Sequence, residues 1–427
     1  MPPDPIAFLF SLERLGMKFG LEHIATLCDA LGHPERSFSS ILIAGTNGKG
    51  SVTAMVETAL GAAGFRAARY TSPHLVRIEE RFVIGGAEVT TAALSDAAAR
   101  VETIVTGLHA SGRLRTLPTF FECTTAVAFE LFRRASVDIA VLEVGLGGRL
   151  DATNIVAPVA AAITSIDFDH QAQLGDSLGS IAREKAGIVK PGIPVVCGPL
   201  PPEADEVVAE VCTARRARLI RACERVRLAE ADDKAGALDV ATDDRRIDGV
   251  RLALRGAHQR NNAAVAVALL EAIGPEGWPV DDRALRDGLE RVVWPARIEI
   301  FASPGVEVLL DAAHNPAGAR ALAAWLREAG WSGFTLVFGA MRDKDVEGIL
   351  APLLPLASRV ICTTPPNPRA VPAPDLAMRV AGVAGHTAAV ESVPDPRSAI
   401  DRARLPGGRV VAAGSIFLIG PLRDILR

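Results

Sequence analysis

The run GTNGKGS, residues 45–51, sets three glycines around one lysine and ends on a hydroxyl. Gly45, Gly48 and Gly50 permit tight turns that bring peptide N–H groups close to phosphate oxygens, with Thr46 and Asn47 filling the turn. Lys49 can neutralise phosphate charge. Ser51 or Thr53 can offer a hydroxyl to magnesium, and Ser51 is better placed at the start of a helix. The spacing departs from the usual G-x-x-x-x-G-K-[ST] loop: Ile43 stands where the first glycine belongs, and Gly50 follows Lys49 directly. A glycine turn with a surface lysine is the competing reading. A strand before the turn and a helix after it favour phosphate.

Other residues suited to chemistry also fall at strand ends. Glu143 closes VDIAVLEVG, and His170 follows Asp169 in SIDFDH. A carboxylate and a hydroxyl suit magnesium, whereas a neutral imidazole is a less common ligand for it. Glu143 could equally be a cap or an ion-pair residue. Lys185 in AREKAGIVKPG reads, on spacing alone, as an ordinary helix lysine. Asp311 and His314 in LLDAAHNPAG could contact a ribose hydroxyl and a nucleotide or substrate, and helix capping competes for both. Arg297 could clamp phosphate. No activated serine in a nucleophile elbow is evident, and GLGG at 145–148 is too weak for a dinucleotide fingerprint.

Alternating strands and helices must position these residues. SSILIA reads as a buried strand entering the glycine turn, and from Ser51 the apolar residues recur at helical spacing. A helix over 121–133 leads to strands at 137–145 and 159–166, a helix at 176–186 and a strand at 194–198. The run 203–233 is helix or exposed polar structure, and a helix follows at 259–273. Strands at 306–311, 334–340, 359–364 and 409–415 then alternate with helices near 316–329, 343–351 and 396–404. This pattern predicts an α/β protein with mainly parallel sheets. A boundary near 294–300 divides it into domains 1–296 and 297–427.

Composition narrows the function classes. A chain of 427 residues exceeds one hydrophobic core, and 46 basic against 50 acidic residues argue against a general nucleic-acid binder. Six cysteines without a C-x-x-C pair argue against a disulfide scaffold or a cysteine zinc cluster. The opening MPPDPIAFLFSLERLG lacks a basic leader, and no apolar run reaches membrane-spanning length, so a cytoplasmic enzyme without membrane or nucleic-acid partners is expected.

Taken in order, the motifs resemble the folylpolyglutamate synthase/dihydrofolate synthase family, within the Mur-type ATP-dependent amide ligases. They are GTNGKGS at 45–51, SPHL at 72–75, FFECTTAVAF at 120–129, EVGLGGRLDATN at 143–154, DH at 169–170 and IAREKAGIVKPG at 181–192. GAHQRNNA at 256–263, WPAR at 294–297, DAAHNP at 311–316, GAMRDKD at 339–345 and GSIFLIG at 414–420 complete the series. The resemblance implies a P-loop-containing, Mur-ligase-like central domain followed by a smaller Rossmann-like α/β domain. By the same resemblance Lys49 contacts ATP phosphate, with Ser51, Glu143 and His170 in the magnesium sites. Lys185 matches a lysine that becomes a carbamate. Asn262 and Arg297 match phosphate contacts, while Asp311 and His314 match second-domain contacts near the nucleotide. Lys49, Lys185, His170 and Arg297 are thereby implied in catalysis. Phe121 matches a ring-packing position for a pterin. Arg149, Asp151 and Ala152 of RLDATN belong to the same pocket, and residues 72–82 match a loop that covers the substrate. Two positions depart from the pattern: Ala296 and Ala312 stand where glycine is common.

The implied reaction joins L-glutamate to dihydropteroate and to reduced folates, driven by ATP with Mg2+ through an acyl phosphate, in a monomer. The alternatives are a Mur-type ligase for another carboxylate acceptor and a P-loop nucleotide switch.

Overall fold

SSILIA is rich in β-branched residues and has no polar interruption beyond its first two positions. Ser39–Ala44 forms a strand (β1) buried at every residue but the first, as a central parallel strand requires. The computed structural model describes residues 4–16, 18–231, 236–383, 387–405 and 407–427. Residues 1–3 of the opening run and the last two residues of the expected 203–233 segment lie outside the described residues. The chain divides into two compact units, Met1–Ala253 with Arg260–Val292, and Leu254–Gln259 with Val293–Arg427. The expected division after residue 296 differs: it assigns 293–296 to the first domain and does not anticipate that 254–259 joins the second unit.

In the first unit β1 is followed by Ala67–Tyr70 (β2), Phe82–Ile84 (β3), Ala87–Glu88 (β4), Ile139–Glu143 (β5), Ala160–Ile163 (β6), Pro194–Cys197 (β7) and Arg218–Arg221 (β8). Among the described residues these form an eight-stranded sheet in the order β4-β3-β2-β5-β1-β6-β7-β8. The strands from β2 to β8 in that order pair in parallel, and β3 and β4 are added antiparallel at one edge. β1 is flanked by β5 and β6, with Ile43 in register with both Glu143 and Ala162. The chain thus crosses from one side of β1 to the other between β5 and β6. Ligands of such sheets bind beyond the carboxyl ends of the strands at that switch, where the glycine turn, Glu143 and the SIDFDH run emerge.

Helices cover the sheet for local reasons. Phe120–Arg134 opens on a capping box: Thr119 N–H donates to Glu122 Oε2 at 2.7 Å, and Glu122 N–H donates to Thr119 Oγ1 at 3.2 Å. Its Phe129 and Phe132 join Leu42, Leu142 and Val195 in the unit's core; each fully buried apolar side chain of this kind contributes about 1.5–3 kcal/mol. On Leu178–Ala186 the buried residues Ile181, Ala182, Lys185 and Ala186 share one face at spacings of three and four. That phase carries Lys185 inward, and the reading of it as an ordinary helix lysine is corrected.

An antiparallel sheet of Arg227–Glu230 (β9), Leu238–Ala241 (β10) and Arg246–Val250 (β11) was not foreseen from the sequence. Its strands are short and charged, and much of β9 is exposed, so period and hydrophobicity carry little signal. The expected run 203–233 in fact begins with the helix Pro202–Ala214 and then supplies β8 and β9.

The second unit holds Glu299–Ser303 (β12), Val306–Leu310 (β13), Phe334–Phe338 (β14), Ala357–Cys362 (β15), Ala389–Ser392 (β16) and Gly408–Ala413 (β17). Among the described residues they form one sheet, β12-β13-β17-β14-β15-β16, parallel except at β12. Its core gathers Leu309, Leu322, Leu326, Phe334, Phe338, Ile349 and Val411. No described helix is long and apolar enough to cross a membrane.

Candidate active site

The glycine turn is built by its own neighbours. Gly48 caps the helix Lys49–Ala62 in the left-handed region, at φ +85°. A Cβ there would sit 2.3 Å from Asn262 Oδ1, so the absence of a side chain lets Asn262 approach the loop. Gly45, at φ +150°, passes so close to Thr164 that a Cβ would lie 2.0 Å from its Oγ1. The strand β6 stops at Ile163, and the residues after it hold the loop instead of extending the ladder. Thr46 N–H donates to the Ser165 carbonyl at 2.8 Å, Asn47 N–H to Ser165 Oγ at 3.0 Å, and Thr164 Oγ1 to the Asn47 carbonyl at 2.6 Å. Thr46 Oγ1 both donates to the Asp167 carbonyl and accepts from Asp167 N–H, each at 3.1 Å.

Two lysines converge on one carbonyl of this loop. Lys49 Nζ lies 3.1 Å from the Gly45 oxygen and 3.3 Å from that of Thr46, and Lys185 Nζ reaches the same Gly45 oxygen at 3.0 Å. Burial, followed by the nearby charge of Lys49, pulls the Lys185 amine down to about 7, against the weaker opposing charges of Asp169 and Asp151. An amine in that range is about half uncharged near neutrality, and the uncharged form is nucleophilic.

Oxygen donors for a divalent cation stand nearby. Ser51 is buried in the first turn of the loop helix. Glu143, at the end of β5, accepts the Ser72 N–H at 3.1 Å and is also buried. Thr53, the other hydroxyl considered, is fully buried further along the helix, with no hydrogen-bond partner for its Oγ1. His170 takes a left-handed conformation, φ +51°, and its Nε2 lies 3.8 Å from Asp169. No group of three or more His, Cys, Asp or Glu suited to a metal forms among the described residues. Ser51 with Glu143 fits magnesium, which commonly takes one or two carboxylates and completes its octahedron with phosphate and water; His170 is the least typical member of the set.

Next to this lies an aromatic wall. Phe121 packs over Gly145, where a Cβ would meet its ring at 2.6 Å, and its centroid is 6.0 Å from that of Tyr70. Asp151, buried, accepts from Leu146 N–H at 2.9 Å, Thr153 N–H at 3.0 Å and the Thr153 hydroxyl at 2.6 Å. Burial raises its carboxyl above the usual range even so. The contacts of Asp151 are thus made to its own loop, with Ala152 buried beside it. Arg149 pairs with Glu184 at 2.9 Å and is more than half exposed. The 72–82 segment is organised by Glu80, whose carboxylate accepts from Leu75, Val76 and Arg77 N–H groups.

The second unit has its own polar cluster. Asp311, beyond β13, accepts from Ile298 N–H at 3.0 Å and Ala313 N–H at 2.9 Å. Burial pushes its carboxyl up, against the charges of Arg297 and His258. Burial likewise lowers His258. Arg297 donates to the Ala296 carbonyl at 3.1 Å, and His314 Nδ1 lies 2.9 Å from the Ala312 carbonyl. Ala296 occupies the left-handed region at φ +58°, the conformation for which glycine would be the usual choice. Ala312 instead donates its N–H to the Ala296 carbonyl at 3.0 Å.

The loop, Asn262 and Lys185 therefore come together in the first unit, while Arg297, Asp311 and His314 gather in the second. Sequence reading missed Thr164, the burial of Tyr70, Arg81 and the His258–Asp311 association. The SIDFDH run signals Ser165 and Asp167 by its place at a strand end, but not their partners.

Residues 296–416 match the Mur ligase, glutamate ligase domain. The chain is 35% identical to a probable bifunctional folylpolyglutamate synthase/dihydropteroate synthase of Haloferax volcanii, over 98% of this chain but 50% of that protein, so it spans half the length of that relative. It is 33% identical to the dihydrofolate synthase/folylpolyglutamate synthase of Bacillus subtilis over 99% of both chains. The solved structure of E. coli FolC in complex with DHPP and ADP superposes with a TM-score of 0.88 at 31% identity, covering 100% of this chain and 98% of that one. On this similarity in both sequence and fold, the chain belongs to the folylpolyglutamate synthase/dihydrofolate synthase family.

Proposed function

We propose that the protein joins L-glutamate to dihydropteroate and to reduced folates at the expense of ATP, acting as a monomer. The observation that carries this reading is the pair of lysines on the Gly45 carbonyl, one in a phosphate-type loop and the other a buried amine near 7. The names of the full-length relatives support the choice of substrates.

In the first step the acceptor carboxylate attacks the γ-phosphorus, the bond to the ADP oxygen breaks, and an acyl phosphate forms. Loop N–H groups and Lys49 stabilise the charge that moves onto the phosphate oxygens. Magnesium, held by Ser51 and Glu143 with phosphate oxygens, would supply further charge neutralisation. The α-amine of glutamate then attacks the acyl carbon and loses a proton, and the tetrahedral intermediate expels phosphate to leave the amide. Phe121, backed by the buried Tyr70 ring, offers flat apolar surface to a pterin ring. Asp311, Arg297 and His314 would contact nucleotide or phosphate.

Lys185 is proposed to react with carbon dioxide to give a carbamate, turning a buried cation into an anion. Its low proton affinity supports this, because only the neutral amine reacts. Labelled bicarbonate should give a carbamate resonance that grows from about pH 6 to about pH 8 as the amine deprotonates. An active preparation with unmodified lysine would oppose it.

Product mass tests the main reading. With ATP, magnesium and L-glutamate, dihydropteroate should gain one glutamyl unit and tetrahydrofolate one or more, with matching ADP. Product from only one acceptor would narrow the activity to that branch. ADP without product would reject the ligase assignment.

A further inference from the structure

Six described residues other than glycine take the left-handed backbone region: His33, Ser136, His170, Arg216, Ala296 and Ile298. The first four stand at helix ends. His33, Ser136 and Arg216 lie just beyond Glu22–Leu31, Phe120–Arg134 and Pro202–Ala214, and His170 directly precedes Gln171–Leu174. There a left-handed residue stops or starts a helix. Ala296 and Ile298 adjoin no helix. They flank Arg297, at φ +58° and +49°, in the connection ahead of β12. Alanine resists this region, and a β-branched isoleucine resists it more, so groups from outside the local sequence must hold it.

The holding groups are two carboxylates. Ile298 N–H donates to Asp311 Oδ2 at 3.0 Å, and Ala296 N–H donates to Glu299 Oε2 at 2.9 Å. The Ala296 carbonyl in turn accepts from Ala312 N–H at 3.0 Å and from Arg297 Nη1 at 3.1 Å. Asp311 belongs to the polar cluster of this unit, whereas Glu299 opens β12 and serves no other described group of that cluster. Its carboxylate is gripped by Arg423 Nε, 3.0 Å from one oxygen and 2.8 Å from the other. Arg423 is buried on the last helix, Ile416–Leu426. A buried guanidinium fixes its carboxylate, because moving the anion away would leave the cation unpaired out of water. Arg297 is half-buried, and its charge acts on both Asp311 and His258. Its side chain thus starts from backbone that Glu299 and Asp311 hold on either side.

We propose that the Glu299–Arg423 pair positions Arg297: it holds Ala296 in the left-handed conformation that presents the Arg297 guanidinium to nucleotide phosphate. This rests on the reading of Arg297 as a phosphate contact and adds two positioning residues to it. Glycine would take this conformation freely, and alanine makes the pair necessary.

The test is a calorimetric titration of the full chain with ADP and magnesium. The pair is removed by combining Glu299→Ala with Arg423→Met, so that neither charge is left buried alone. Removal should weaken ADP binding about 5- to 30-fold, because binding must then return Ala296 to the left-handed region at its own cost. Ala296→Gly should bind ADP like wild type, and removal of the pair in that background should weaken binding by less than about 2-fold. Arg297→Gln should weaken ADP binding, and removal of the pair should then add nothing, since the group it positions is gone. Should the combined substitution fail to fold, Glu299→Gln, which keeps the volume and cancels the charge that Arg423 grips, is carried through the same backgrounds. Undiminished ADP affinity without the pair would overturn the proposal. An equal loss in the Ala296→Gly or the Arg297→Gln background would also overturn it, making the pair a support of the fold alone. ADP affinity unchanged by Arg297→Gln itself would overturn the phosphate reading of Arg297, and the positioning role with it.

Discussion

Lys49 and Lys185 share one carbonyl but differ in what a substitution would remove. Lys49 serves phosphate charge, so Lys49→Ala should lower ADP-forming turnover by about 100- to 1,000-fold while leaving the unfolding midpoint nearly unchanged, as loss of one oriented charge in a transfer site does. Unchanged turnover in the folded variant would remove Lys49 from the reaction. Lys185 also affects stability. Its pKa falls from 10.5 to about 7 on folding, so between those values the unfolded chain holds more protons than the folded one. Stability from this residue is therefore gained as pH rises through that window and lost as pH falls. Lys185→Met should be most stabilising relative to wild type below about pH 7 and lose that advantage progressively as pH rises towards about 10.5, read from urea midpoints. A difference that stays flat with pH would show that Lys185 is not the depressed amine.

Loops and strand ends carry the next scale. Gly45→Ala would drive a Cβ to 2.0 Å from Thr164 Oγ1 in a left-handed backbone, so the loop and the residues after β6 cannot both keep their places. A loss of about 1–3 kcal/mol in unfolding free energy is expected, with ADP affinity falling beyond what that loss accounts for. Wild-type ADP affinity in this variant would mean that the loop tolerates the shift. Asp151→Ala strands the Leu146 and Thr153 donors in a buried loop. It should cost about 2–3 kcal/mol in a chemical denaturation, with acceptor KM rising as the loop relaxes. A raised KM at unchanged stability would instead make Asp151 a direct substrate contact. The strand–turn–helix frame around residues 39–62 was legible because buried β-branched runs and helical spacing are local signals. The β9–β11 sheet was not, because short exposed strands acquire their pairing only from one another.

At the scale of the molecule, the two units have separate hydrophobic cores. Chains with more than one core commonly depart from two-state unfolding. Calorimetry should give a calorimetric enthalpy larger than the van't Hoff enthalpy, and a ratio of one would show a single cooperative block. The crossing of segments limits how far the units can be read along the chain: 254–259 belongs with the second unit although 260–292 returns to the first. No composition shift marks that exchange, since one continuous helix, Ala257–Ile273, runs through it.

The sequence by itself determined the α/β alternation, the phosphate-type turn with Lys49 and the ordered motifs that imply a glutamate ligase. These depend on local periodicity, glycine geometry and residue spacing, all of which are written along the chain. Only the tertiary structure decided that Lys185 is buried beside Lys49 and that Thr164 and Ser165 hold the loop. Each of these depends on groups far apart in sequence being brought out of water together. Burial and neighbouring charge, which set proton affinity and hydrogen-bond demand, do not exist until the chain has folded.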